Sequence, residues 1–346
     1  MQPGSKVRAR MRDVAELAGV GTMTVSRVLS GSVPVSEETR SRVIAAIKQL
    51  DYRPNEVARS LRESRTRSIG IIVPNFYDSF FADCAHAVSV VAQQHGYSVM
   101  VTTSGEDVAS EYHEASLMLR RNVEGIIVIP AYVGESQLTR PEFESIPIVA
   151  LDRPIRGQTA GSGNLSSVVV ENRAGARRGT QHLIKHGHKK IAFLSLSNEL
   201  YTLKERYVGY VEAMKQAGLT PEGYFSCLTQ ESTLEVFRSL RAQDNLPTAL
   251  FISNNVVTQH ALHALATLKI PIPKKMALVA FDDLTMFDIF VPPISVVRQP
   301  QQDLGRIAAE FLFARLQARN SGQTANEESQ RIVLPVDLLL RKSCGC

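Results

Sequence analysis

Two groups of residues have types and positions that could act on a partner. The first is Thr22, Met23, Thr24, Ser26 and Arg27, at the start of a short amphipathic segment. Hydroxyls and a guanidinium at the front of a helix can hydrogen-bond base edges, and a thioether can pack on them. Thr22 and Met23 are the expected base readers. Arg27 suits guanine or phosphate, and Thr24, Ser26, Thr39 and Arg40 suit phosphates. A small helical bundle with a solvated polar face would carry the same residues. The second group is Asp152, Arg206, Asn254 and Asp282, polar residues at or near the ends of apolar runs, with Phe80 and Phe81 as an apolar wall. An arginine and carboxylates in a cleft can take paired hydroxyls through several hydrogen bonds. The alternative makes Arg206 and Asp282 a structural ion pair and the two phenylalanines plain core.

Catalytic chemistry finds no support. His86, His95, His113, His182, His186, His188, His260 and His263 are scattered, and the densest pair, His186 and His188, falls in a helix-to-strand turn. There is no G-x-S-x-G elbow, P-loop or intact G-x-G-x-x-G. An enzyme is not expected, and neither a catalytic residue nor a cofactor is assigned. Cys84 and Cys227 stand alone, and the Cys344-Gly-Cys346 tail lacks C-x-x-C spacing, so no metal site is expected.

The first group must be positioned by local helices. Met11 to Ala18 carries apolar residues at helical spacing, Gly19 can end it in a left-handed conformation, and Thr22 to Leu29 restarts it. Two short helices around a Gly-containing turn form a helix-turn-helix, whose second helix enters the major groove. A third helix follows from Ser36 as N-cap, with Glu37 and Glu38 in its first turn and Val43, Ile44, Ile47 and Leu50 as its buried stripe. Residues 1–65 hold 12 Lys/Arg against 7 Asp/Glu, which accounts for the whole chain's net charge of +5. A basic head on a neutral body points to a polyanion, although an ordinary basic surface explains the charge equally well. Asn55 can cap a further segment, Glu56 to Arg62, too short to hold a helix unaided.

The second group needs a larger scaffold. At 346 residues the chain has room for two or three domains, and 44% hydrophobic with 21% charged residues suits a globular protein. No apolar run is long enough to span a bilayer, and Met1 to Met11 is polar and basic, unlike a secretory signal. A cytoplasmic protein without membrane contact is expected. From Ser68 onward short apolar runs alternate with helical patterns, the signature of open parallel sheets with crossover helices. Ligands in such sheets bind beyond the carboxyl ends of the strands.

Met11-Arg-Asp-Val-Ala-Glu-Leu-Ala-Gly-Val20, Met23-Thr-Val-Ser-Arg-Val-Leu29, Val35-Ser36 and Leu50-Asp-Tyr-Arg-Pro-Asn-Glu-Val-Ala-Arg-Ser-Leu61 together resemble the head of the lactose-repressor (LacI/GalR) family. Gly21 departs from the family's usual Ser. Lys185-His-Gly-His-Lys-Lys-Ile-Ala-Phe193, Ala280-Phe-Asp-Asp283 and Val297-Arg-Gln-Pro300 extend the likeness into the body; Asn255 and His260 depart from a usual Asp and Gly. The resemblance implies an α/β fold: a three-helix head with a hinge helix, then a periplasmic-binding-protein-like body of two doubly wound parallel-sheet subdomains. It implies a DNA-binding regulator, a repressor of a metabolic operon, acting as a homodimer on double-stranded operator DNA and controlled by a small-molecule effector, with a carbohydrate as the family expectation. Asn55 and Ala58 join the DNA-binding set on the hinge, where Leu61 would wedge into the minor groove; a plain linker is the alternative. The family's effector positions match Asp152, Arg206, Asn254 and Asp282. Expected boundaries are 1–54 for the head, 55–67 for hinge and linker, and 68–346 for the body. Its first subdomain is expected at about 68–162 and 294–322 and its second at about 163–292 and 326–346, with chain crossings near Gly161 to Leu165, Pro292 to Ser295 and Ser321 to Glu328.

Overall fold

The computed structural model describes residues 9–30, 34–52, 65–131, 136–155, 165–321 and 330–346. The chain divides into two units, residues 1–66 and 67–346. Asn55, Ala58 and Leu61 lie outside the described residues, and with them the hinge expectation.

The head is three helices, α1 (Met11–Ala18), α2 (Thr22–Ser30) and α3 (Glu37–Gln49). Gly19 takes φ +62° at the end of α1, and the N–H of Val20 returns to the carbonyl of Ala15, so the chain reverses within three residues. The Ser36 hydroxyl accepts the N–H of Thr39 and caps α3. Val14, Ala15, Ala18, Val25, Val43, Ala46 and Tyr52 close the core. The buried stripe of α3 runs through Val43, Ala46, Ile47 and Leu50, the i, i+3, i+4, i+7 series. Ile44 falls outside it and is exposed, correcting the expected stripe.

The body holds two six-stranded sheets. The first contains β1 (Ser68–Val73), β2 (Ser98–Thr103), β3 (Ile126–Val128), β4 (Ile148–Leu151), β5 (Leu165–Val170) and β11 (Arg331–Leu334), in the order β11-β5-β4-β3-β1-β2 and parallel throughout. The second contains β6 (Ile191–Leu194), β7 (Glu222–Tyr224), β8 (Ala249–Ile252), β9 (Ala277–Phe281), β10 (Ser295–Arg298) and β12 (Asp337–Leu339), ordered β12-β10-β9-β8-β6-β7, with only β12 antiparallel. Central strands such as β4 and β9 are buried along their whole length, as helices on both faces of a parallel sheet require. Those helices include α4 (Ser79–Gln94), α5 (Val108–Arg120), α6 (Asn172–Lys185), α7 (Tyr201–Gln216), α8 (Gln230–Ala242), α9 (Asn255–Thr267), the short α10 (Thr285–Ile289) and α11 (Gln301–Asn320). Gly209 lets α7 approach α6 closely: a Cβ there would stand 2.1 Å from the carbonyl oxygen of Arg173.

The crossings between halves fall one strand later than expected. β5, expected in the second half, pairs with β4 in register Ile148↔Leu165 and belongs to the first sheet. β10, expected in the first half, pairs with β9 and β12. β11, expected in the second half, pairs with β5. The chain therefore crosses after Val170, after Arg298 and at Pro335–Val336, and α11 returns to pack on α4. An apolar run reads the same in either sheet; the partner that decides its membership is distant in sequence. Among the described residues no helix is long and apolar enough to cross a membrane.

Candidate functional sites

In the head, Thr22, Met23 and Arg27 are exposed on α2, while Thr24 and Ser26 are half-buried. Met23 and Arg27 lie one turn apart, with the guanidinium 3.8 Å from the thioether sulfur. Val25, between them, is fully buried. The expected base readers thus share one solvent-facing surface. Thr39 is half-buried, and its hydroxyl accepts from Ser36 Oγ at 2.9 Å, so this expected phosphate contact also serves the α3 cap.

In the body, Asp152, Arg206, Asn254, Asp282, Phe80 and Phe81 come together around one cleft of about 290 Å³ at the carboxyl ends of the strands. Asp152 follows β4 and Asp282 follows β9, each in a left-handed conformation, φ +68° and +73°. Aspartate tolerates that region better than most residues, and the reversal there turns each carboxylate off its strand end.

Arg206, on the second turn of α7, is the anchor. Its Nε donates to Asn172 Oδ1 at 2.8 Å, and Nη1 donates to the Ser253 carbonyl at 2.8 Å and to Asp282 Oδ2 at 3.3 Å. The guanidinium lies 3.7 Å above the ring of Phe281. Asp282 also accepts from Gln299 Nε2 at 2.5 Å, leaving Gln299 Oε1 buried with no partner. The ion-pair reading of Arg206 and Asp282 and the ligand reading are therefore compatible: the pair is formed, and it lines the cleft. Across from it Arg153 pairs with both oxygens of Glu106 at 2.8 and 2.9 Å and reaches Asp152 at 3.4 Å. Burial pushes the Asp152 carboxyl above its ordinary range, against the pull of Arg153 and Arg206. Burial would lower Arg153, but Glu106 and Asp152 outweigh it and hold the guanidinium more firmly charged.

Asn254 caps α9 through the N–H of Val257 at 3.1 Å, which leaves its amide as a donor. Its neighbour Asn255 reaches across the cleft and donates to Asp78 Oδ1 at 2.8 Å. Asp78 in turn caps α4 at the Phe80 N–H. Burial raises the Asp78 carboxyl as well, with Asp282 adding to the rise and the Asn255 and Phe80 hydrogen bonds and Arg206 opposing it. Phe80 and Phe81 pack edge to face at 5.5 Å and are mostly buried, so they serve as wall and core together. Asp78, Glu106, Arg153, Asn255 and Gln299 were not among the expected site residues. An Asp one residue before a helix and an Arg beside an Asp are common features that carry no pocket signature.

Comparison with known proteins agrees with this anatomy. Residues 10–55 match the family described as bacterial regulatory proteins, lacI family, and residues 180–344 match the periplasmic binding protein-like domain. The chain is 32% identical over 344 residues to the HTH-type transcriptional repressor PurR of Pasteurella multocida (strain Pm70), covering 97% of this chain and 98% of that protein. It superposes on the lac repressor dimer bound to operator and the anti-inducer ONPF with TM-score 0.81 at 24% identity, covering 98% and 99% of the two chains. It also superposes on a complex of the transcriptional regulator CelR with cellobiose, with TM-score 0.67 at 28% identity, covering 97% and 100%.

Proposed function

Because the chain belongs to the lacI family of bacterial regulatory proteins and is a DNA-binding transcriptional repressor rather than an enzyme, we propose that a neutral polyhydroxylated effector, a carbohydrate, governs it from the body cleft. The observation that carries the proposal is the convergence of Arg206, Asp282, Asp152 and the Asn254 amide on one cleft. A carboxylate offers about four acceptor positions, and Asp282 accepts only two described hydrogen bonds, so it can take further hydroxyl donors. The CelR complex, which holds cellobiose, supports the same ligand class. The PurR name points instead to a purine. Phe80 and Phe81 turn most of their surface inward, which leaves the exposed Tyr77 as the aromatic face the cleft offers a flat base, so the carbohydrate reading rests on the polar groups.

In this reading two heads of a homodimer contact a near-palindromic operator through Thr22, Met23, Thr24, Ser26 and Arg27, and Asn55, Ala58 and Leu61 engage the minor groove. Effector in the cleft changes the angle between the halves and thereby the spacing of the hinge segments. The experiment is a thermal-shift panel of monosaccharides, disaccharides and purine bases, followed by operator gel shifts with each hit. A ligand at 100 times its Kd stabilises the fold by about 2.7 kcal/mol. Stabilisation by a sugar that also changes operator affinity is expected. Stabilisation by purine bases alone would replace the carbohydrate assignment and leave the repressor assignment standing.

A further inference from the structure

The end of α6 and the C-terminal residues bring together a second group of side chains, none of which lines the cleft. His182 and His186 stand one turn apart near the end of α6, and the last residue, Cys346, folds back onto them. One ring nitrogen from each histidine and the Cys346 sulfur all lie within 4.8 Å of one another. Gly345 takes φ +81°, the left-handed conformation that turns the final residue back.

We propose that His182, His186 and Cys346 form a binding site for a thiophilic divalent cation such as Zn²⁺. Three features agree on this. Two histidines at i and i+4 share one helix face, a spacing that presents two imidazoles to one ion. His182 Nε2 is buried and has no hydrogen-bond partner, a cost that a metal would remove. The Nδ1 of His186 sits 2.9 Å from the His182 carbonyl oxygen. With that nitrogen donating, its Nε2 carries a lone pair outward, the arrangement that orients metal-ligating histidines. Tetrahedral zinc holds two nitrogens and one sulfur roughly 3.3–3.6 Å apart, given Zn–N of about 2.0–2.1 Å and Zn–S of about 2.3 Å. The exposed His186 side chain and the terminal residue need to close by about 1 Å.

The site is coupled to redox state. Cys346 is disulfide-bonded to Cys344, and a disulfide sulfur is not a thiolate ligand. A cellular thiol reduces it by exchange: two RSH give RSSR, and the two cysteines become Cys344-SH and Cys346-SH. Metal binding then displaces the Cys346 proton to solvent and leaves the fourth position to water. Exchange with RSSR reverses this: the Cys344–Cys346 disulfide re-forms, two RSH leave with one proton taken back from solvent, and the ion is released.

The test titrates the full chain, kept reduced with a phosphine, with Co²⁺ and then Zn²⁺. The expected result is one ion per chain, a thiolate-to-cobalt charge-transfer band that zinc displaces, and a higher Tm. Cys344→Ser cannot form the disulfide and is expected to bind without reductant. Cys346→Ser and His182→Gln are expected to weaken cobalt binding at least tenfold and abolish or shift the band, while their circular dichroism stays that of the parent. No stoichiometric band in either the reduced parent or Cys344→Ser would overturn the site, as would parental affinity in a folded His182→Gln.

Discussion

The hydrogen bond from Asn255 to Asp78 ties the two halves of the body across the mouth of the cleft. Replacing Asn255 by Asp changes only one atom group, yet it turns a donor into a second carboxylate facing the first. Two losses follow. A hydrogen bond to a charged group contributes about 1.5–3 kcal/mol. Two carboxylates about 4 Å apart at an effective dielectric near 20 repel by about 4 kcal/mol. Together they reach about 7 kcal/mol at most, and relaxation of either side chain reduces that; a net loss of about 3 kcal/mol, over a hundredfold, is expected for the closed arrangement. The mutant is expected to open at pH 7.5 and to re-close toward pH 5, as one proton shared by the pair restores a donor. Asn255→Ala should open less and gain no such pH dependence. A fluorescence-transfer distance between dyes on α5 and α8 reads the opening directly. The reasoning fails if Asn255→Asp keeps the parental distance at pH 7.5, or if its opening is the same at both pH values.

Arg206→Ala should abolish effector response and cost about 3–5 kcal/mol in urea unfolding, because Asp282 is left buried without its cation; Arg206→Lys should not restore the response, since an ammonium cannot match the fork that joins Asn172, Ser253 and Asp282. Gly209→Ala should lower stability by about 1–3 kcal/mol, read as a shift in the urea midpoint, since its Cβ would press on the backbone of α6. Asp78 and Asp152 have raised folded pKa values, so the folded state holds their protons more tightly than the unfolded chain. Their contribution to stability is therefore most favourable below 3.8 and declines as pH rises through the folded values; Asp78→Asn should remove its part of that decline in unfolding measured from pH 3 to 7. Leu61→Ala should reduce operator affinity about tenfold and diminish DNA bending in a gel-shift phasing assay, and an unchanged bend would exclude the wedge.

What the sequence disclosed depended on how local the cause was. Gly19 at the α1 end and Ser36 as cap are set by neighbours within a few residues, and both appear in the structure as read. That Asp152, Arg206, Asn254 and Asp282 come to one cleft was also legible, because strand ends in parallel sheets converge. Asn255 was visible only as a departure from the family's pattern; its partner Asp78 lies 177 residues away. The three crossings were misplaced for the same reason, since the pairing of β5, β10 and β11 is decided by strands far along the chain.

The position of β11 has a consequence for synthesis. The first sheet, begun at Ser68, lacks its edge strand until residues 331–334 arrive, and the second lacks β12 until residues 337–339. The head, by contrast, has its whole described core by Tyr52. At about 5–20 residues per second, some tens of seconds separate a completed head from a completed body on the ribosome. Throughout that interval the nascent chain carries a finished helix-turn-helix head ahead of an unfinished body.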